Sequence, residues 1–167
     1  MQSKTGVLMF QFEYLNTQKI SGLQEFLDKF EAFTKELDTR YHYGIEIRNP
    51  NFLKRPFFDF LHRNNLAMVF LQGYYMPPIW DVYSEFESSI GSPVVFRLHG
   101  PDRAGMEKRT NNIWDQIIEP RDADLARVRE LIIALQLKDI DVYVNVNNHF
   151  EGSAPLTIKR IVDGLNA

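Results

Sequence analysis

Cysteine is absent from the 167 residues. Disulfides and thiolate chemistry are thereby excluded, and a cytoplasmic location is expected. No apolar run approaches the roughly 20 residues that span a bilayer, and Met1-Gln2-Ser3-Lys4-Thr5-Gly6 lacks the layout of a signal peptide. No membrane partner is expected. Charge of one sign is not in excess: 19 Lys and Arg against 22 Asp and Glu give a net charge of -3. There is no global basic field to attract nucleic acid. A Gly-rich phosphate loop, a Gly-x-Ser-x-Gly elbow and a Ser or Cys nucleophile motif are also missing, so hydride transfer and acyl-enzyme chemistry find no support. No internal repeat, low-complexity stretch or Pro/Gly/Ser-rich linker divides the chain.

What remains is an ordinary globular composition, 44% hydrophobic and 25% charged, with thirteen Phe and seven Tyr as bulky core material. One domain over residues 1–167 is expected. Five runs read as strands: Val7 to Phe12, Tyr43 to Asn49, Leu66 to Gln72, Val94 to His99 and Tyr143 to Asn148. Helical spacing of apolar residues predicts helices from Ser21 to about Leu37, from Phe52 to about Arg63, and from Asp122, as N-cap, to about Lys138. A weak helix is expected over Trp80 to Ser88. A last helix opens at Ser153 and Pro155, with Ile158, Ile161, Val162 and Leu165 on its inner face. The connection after His99 is long, roughly twenty residues against the usual ~2–6, and a short helix around Asn111 to Ile118 is expected inside it. Alternation of strands and helices implies a parallel sheet with helices packed on it.

Four of the strands end in polar residues two positions apart. They are Gln11 and Glu13, Glu46 and Arg48, Arg97 and His99, and Asn145, Asn147 and His149. Side chains two apart on a strand share a face, and core strands seldom carry charge unless it is paired or used. Charged pairs at the carboxyl ends of successive strands are how an α/β barrel builds a site.

Three segments resemble a known family. Gly44-Ile45-Glu46-Ile47-Arg48-Asn49-Pro50, Val95-Phe96-Arg97-Leu98-His99-Gly100-Pro101 and Val146-Asn147-Asn148-His149-Phe150-Glu151-Gly152-Ser153-Ala154 are similar, in order and spacing, to motifs of the YecE-like family, the domain of unknown function number seventy-two. The likeness runs from about Thr5 to Leu165. Asn49 stands where a His is common, Phe52 where a Trp is common, and Glu13 in place of a Pro. The resemblance implies a (β/α) barrel. It begins at about the fourth strand, so the expected fold is α/β, a partial TIM-type barrel of about five parallel strands with helices outside, lacking the N-terminal strands.

Arg is the favoured partner of phosphate or carboxylate because its planar fork makes two parallel hydrogen bonds. Arg48 and Arg97, with Asn147 and Gln11, are therefore the candidate substrate-binding residues, and an anionic small molecule is the candidate ligand. His99 and His149 are the candidate acid/base pair, since imidazole titrates near neutrality. Glu46 is the third candidate catalytic residue, orienting one of them; the bland alternative is that Glu46 and the arginines simply neutralise one another. Glu46, His99 and His149 could instead ligate a metal, but they have no short-range ligand spacing, and no cofactor is expected. Arg103, Lys108, Arg109 and Trp114 in the long connection read as a lid or a nucleic-acid contact, and equally as a solvated connection. The readings are a hydrolase- or lyase-like site for an anionic, phosphorylated small molecule; a non-catalytic nucleotide or nucleic-acid binding module; or an inactive truncated remnant. Five strands leave two open sheet edges, so a homodimer or a complementing chain is expected to cover them.

Overall fold

The computed structural model describes residues 5–166. The apolar runs form strands β1 (Val7–Gln11), β2 (His42–Glu46), β3 (Leu66–Gly73), β4 (Val94–Gly100) and β5 (Val142–Val146). They alternate with helices α1 (Leu23–Thr34), α2 (Arg55–Arg63), α3 (Ile79–Phe86), α4 (Arg103–Thr110), α5 (Asp122–Gln136) and α6 (Ala154–Leu165). The sheet order is β1-β2-β3-β4-β5, and each neighbouring pair is parallel. The sheet curls into a half-barrel: Arg97 on β4 reaches Gln11 on β1 at 2.6 Å. The fold is thus the parallel α/β sheet that the alternation implies, curled into the partial barrel that the family resemblance implies.

Period-two alternation sorts each strand into an outer and an inner face. Phe10, Ile45, Met68, Phe70, Phe96 and Leu98 turn outward into the layer shared with the helices. There Phe10 meets Phe30 and Phe33 of α1 edge-on, and Phe58 of α2 stacks on Phe86 of α3 with ring centroids 4.0 Å apart. The inner face carries Met9, Gln11, Glu46, Val95, Arg97 and Tyr143, which the register sets side by side. Among the described residues no helix is long and apolar enough to cross a membrane.

Three local expectations change. The helix in the long connection forms at Arg103–Thr110, ahead of the expected Asn111 to Ile118. Asp102 caps it by accepting the Gly105 N–H at 2.8 Å, and Arg103 pairs with Glu107 one turn on. Asn111 then adopts a left-handed conformation, φ 50°, and ends the helix where the other would have begun. Arg121, not Asp122, is the N-cap of α5; the Asp122 carboxylate takes Arg160 instead. On α6 the buried side chains are Thr157 and Ile161, while Ile158 is 44% and Val162 48% exposed. The rotation follows from a buried carboxylate: Thr157 Oγ1 donates to Glu151 Oε2 at 2.8 Å.

Glu151, wholly buried, ties this end of the half-barrel together. Its carboxylate also accepts the Arg121 backbone N–H at 2.7 Å and pairs with Arg160 of α6. Its carbonyl accepts the N–H groups of Ile118 and Glu119. One residue therefore fixes the end of the long connection, the start of α5 and the first turn of α6. Glu151→Ala would leave Arg160 without its buried partner and Thr157 without its acceptor. A loss of about 3–5 kcal/mol is expected in urea unfolding; a loss below about 1 kcal/mol would mean that the network contributes nothing net.

Candidate functional site

The carboxyl ends of β3, β4 and β5 are drawn unusually close, and two glycines make this feasible. Gly73 has φ 136° and Gly100 φ 75°, values that side-chain-bearing residues rarely adopt. A Cβ on Gly73 would lie 2.5 Å from the Gly100 carbonyl oxygen, and one on Gly100 would lie 2.4 Å from that of His149. The register of β3 against β4 slips at Gln72/Gly73, an irregularity of the kind that re-aims side chains at a barrel rim. Tyr74 follows with φ 54°, its N–H bonded to the Gly100 carbonyl at 3.1 Å. The backbones are thus pressed together where Tyr74, His99 and His149 emerge.

At the centre of the inner face the Glu46 side chain has no exposure. Arg48 Nε donates to its Oε1 at 2.9 Å, and Arg97 Nη1 donates to Oε2. The same Arg97 nitrogen donates to Gln11 Oε1 at 2.6 Å. Arg97 Nε is buried and has no partner among the described residues. Two guanidiniums share one carboxylate, so one positive charge is left over. Arg48 meets Glu46 through Nε, and its guanidinium lies 5.2 Å from the centre of the Tyr74 ring.

His99, buried beside this cluster, faces the Tyr74 hydroxyl, with 3.1 Å between that oxygen and Nδ1. Its ordinary value of 6.5 is pushed down to about 4, first by burial, then by the Arg97 charge, with smaller contributions from Arg48 and His149 against an opposing Glu46. His99 is therefore a neutral and weakly basic imidazole at pH 7.

His149 belongs to a second group. Asn147 Oδ1 accepts its backbone N–H at 3.0 Å and faces Nδ1. Its Nε2 lies 3.1 Å from Glu107 Oε1 on α4. Trp114 packs edge-on against the imidazole at 5.0 Å between ring centres. Arg103 above all, with His149 adding to it, holds the Glu107 carboxyl below the usual range. The long connection thus lies over the β5 end of the site. Its basic residues are largely engaged within it: Arg103 with Glu107 and Arg109 with Glu119 and Asp102.

Of the residues marked by parity, Gln11, Glu46, Arg48 and Arg97 come together in one bonded network. His99 adjoins it, and Asn147 and His149 form the second group. Glu46, expected to orient a histidine, holds the two arginines; Tyr74 and Glu107 contact the histidines instead. Neither was marked from sequence. Tyr74 follows Gln72-Gly73 at a strand end that carries no charged pair, and Glu107 stood in a connection read for its basic residues. Asn49 is a structural residue: its side chain accepts the Leu15 N–H at 2.8 Å and donates to the Leu15 carbonyl at 2.9 Å, pinning the segment after β1. Among the described residues no three His, Asp or Glu side chains gather as a metal site.

Fold and site together define an α/β half-barrel with a charged cluster at the carboxyl ends of its strands. A family model described as "Protein of unknown function DUF72" matches residues 1–167, and the chain belongs to that family. Two solved structures of the family resemble it. A DUF72 family protein from Thermotoga maritima MSB8, TM1631, shares 16% identity at a TM-score of 0.69, covering 99% of this chain and 59% of that one. A DUF72 family protein from Enterococcus faecalis V583, EF0366, shares 20% identity at a TM-score of 0.64, covering 96% of this chain and 58% of that one. The chain spans less than two thirds of either relative, and at these identities the likeness is one of fold. No curated protein matches the chain.

The lowered value of His99 gives a signed pH dependence. Unfolded, its imidazole takes a proton near 6.5; folded, it takes none until about 4. Between these values the unfolded state binds more protons, so stability falls as pH drops through the window. About 1–2 kcal/mol of stability should be lost to this residue between pH 7 and pH 5. Urea midpoints at the two pH values should differ less in His99→Gln than in wild type; equal slopes would show that His99 titrates normally.

Proposed function

We propose that the cluster at the strand ends binds an anionic, phosphorylated small molecule and acts on it as a hydrolase- or lyase-like site. The observation that carries this reading is the sharing of one buried carboxylate by two guanidiniums, which leaves an uncompensated positive charge beside neutral His99. Arg48 is the principal anion contact. Its Nε is held by Glu46, its guanidinium lies against the Tyr74 ring, and its terminal nitrogens donate to no protein acceptor among the described residues. Arg97, bonded to both Glu46 and Gln11, supplies charge from behind. Glu46 is the anchor that aims both arginines. His99, neutral and weakly basic, hydrogen-bonds the reacting group, and His149, steadied by Asn147 and Glu107, moves the proton. A chain that can form no disulfide is read as cytoplasmic. The internal pairing of Arg103 and Arg109 favours the small-molecule reading over a nucleic-acid contact made by the long connection.

The test joins binding to turnover. Arg48→Ala should weaken inorganic phosphate binding, measured by calorimetry, by about 10–100-fold, the worth of a charge-assisted pair of hydrogen bonds. Hydrolysis of a phosphomonoester panel should fall with it. Unchanged phosphate affinity would sink the anion reading. Phosphate binding without turnover of any ester would leave a binding module.

A second reading concerns partners and rests on the two sheet edges. Leu8, Met9 and Phe33 beside the β1 edge are exposed, as are Tyr143, Ile158 and Val162 beside the β5 edge. A groove of about 310 Å³ lined by Gly6, Val7, Met9, Val95, Tyr143 and Asn145 lies open between them. Unpaired edges flanked by apolar side chains are templates for further pairing. The chain as given is expected to form a homodimer, or to be completed by further polypeptide that covers these edges. Sedimentation at micromolar concentration should show a species larger than the monomer; a monomer with sharp cooperative unfolding ends this reading.

A further inference from the structure

Tyr74 stands where the backbone would sooner have glycine. The Met76 N–H bonds the Gly73 carbonyl at 3.2 Å and closes a turn with Tyr74 at its second position. There φ is 54°, a left-handed value that side-chain-bearing residues take only at a cost. Glycine would meet the same turn without that cost. What the tyrosine supplies is a ring that joins two members of the cluster. Its centre lies 5.2 Å from the Arg48 guanidinium carbon. Its hydroxyl oxygen is 3.1 Å from His99 Nδ1, and the two rings are tilted at 48° with 5.5 Å between centres. No other protein group bonds that hydroxyl among the described residues.

The direction of this bond follows from what stands at its two ends. The phenol carries one hydrogen, and an unprotonated Nδ1 is the acceptor within reach. A cation against the ring draws electron density from the hydroxyl, so donation is favoured over acceptance, and bonds in series polarise one another. The imidazole is neutral at pH 7, so its one hydrogen then sits on Nε2. Nε2 has no protein partner among the described residues. The one buried side-chain nitrogen or oxygen left unpartnered among them is Arg97 Nε, so His99 Nε2 keeps contact with solvent and is open to a ligand. We infer that Tyr74 is a positioning residue that sets the His99 tautomer: by donating to Nδ1 it keeps the hydrogen on Nε2 and makes His99 a hydrogen-bond donor to an oxygen of the ligand. Arg48, Tyr74 and His99 then form one line of polarisation, from a cation to an N–H open to an anion. A neutral imidazole in this role meets negative charge as it develops on the reacting group. The donor role rests on the anion-binding reading of the cluster; the tautomer does not.

Heteronuclear NMR of the histidine side chains, on the full chain at pH 7, reads the tautomer directly. In wild type His99 should carry its hydrogen on Nε2. In Tyr74→Phe, which keeps the ring against Arg48, the Nδ1 signal should move to that of a nitrogen with no donor. A hydrogen on Nδ1 in wild type, or an Nδ1 signal indifferent to Tyr74→Phe, would overturn the inference. Calorimetry with inorganic phosphate reads the consequence. Tyr74→Phe should weaken binding about three- to tenfold, the worth of one hydrogen bond, and should cost nothing further in a His99→Gln background. An equal loss in both backgrounds would show that Tyr74 does not act through His99. If wild type binds no phosphate, the anion reading falls and the donor role with it, while the spectra still decide the tautomer.

Discussion

One buried carboxylate sets the terms for the inner face of this half-barrel. Glu46 lies on the second strand with no exposed surface, and removal of an unpaired carboxylate from water would cost several kcal/mol. It is tolerated because a guanidinium stands at each oxygen, Arg48 from its own strand and Arg97 from the fourth. The same contacts hold the curl of the sheet, since Arg97 also spans to Gln11 on the first strand. The arrangement answers the ion-pair alternative only in part. Glu46 does neutralise a guanidinium, but two positive groups surround it, and the surplus is what gives the site its character. The low basicity of His99 follows first from its burial and then from that surplus.

The outer boundary of the site depends on a different kind of constraint. Gly73 and Gly100 allow three strand ends to approach more closely than any side chain at those positions would permit. That approach brings Tyr74 to His99 and sets His149 beside the long connection. The connection folds as a capped helix, and Glu107 and Trp114 from it close around the imidazole. Glu151 anchors its far end through backbone and side chain alike. A connection whose basic residues suggest a lid or a nucleic-acid contact is therefore held at both ends and largely neutralised within itself.

Several of the exposed apolar side chains, Leu8, Met9, Phe33 and Tyr143 among them, fall beside the first and last strands, where a closed barrel would continue, and the rotation of α6 adds Ile158 and Val162 to them. The solved relatives continue beyond the span matched here. The strands that carry the cluster, β1 to β4, are mutually paired.

Much of this was legible in the sequence. Period-two alternation decides which residues of a strand share a face, and it sets Gln11, Glu46, Arg48, Arg97 and His99 on one side of a parallel sheet. Helical periodicity located four of the helices to within a few residues. Parity says which face a side chain takes but not which partner it finds. That Glu46 would hold two arginines and not a histidine depends on the curl of the sheet, which brings strand four to strand one. Tyr74 and Glu107 could not be marked, since each acquires its role from a backbone close approach or a helix boundary that pattern alone does not specify. The inward turn of Thr157 likewise answers to a buried carboxylate six residues earlier, where apolar spacing pointed to Ile158 and Val162. Local sequence determined the elements and their faces because those follow from backbone geometry and side-chain type. Only the tertiary structure decided the pairing of charges, because that is a matter of which chain segments exclude water from one another.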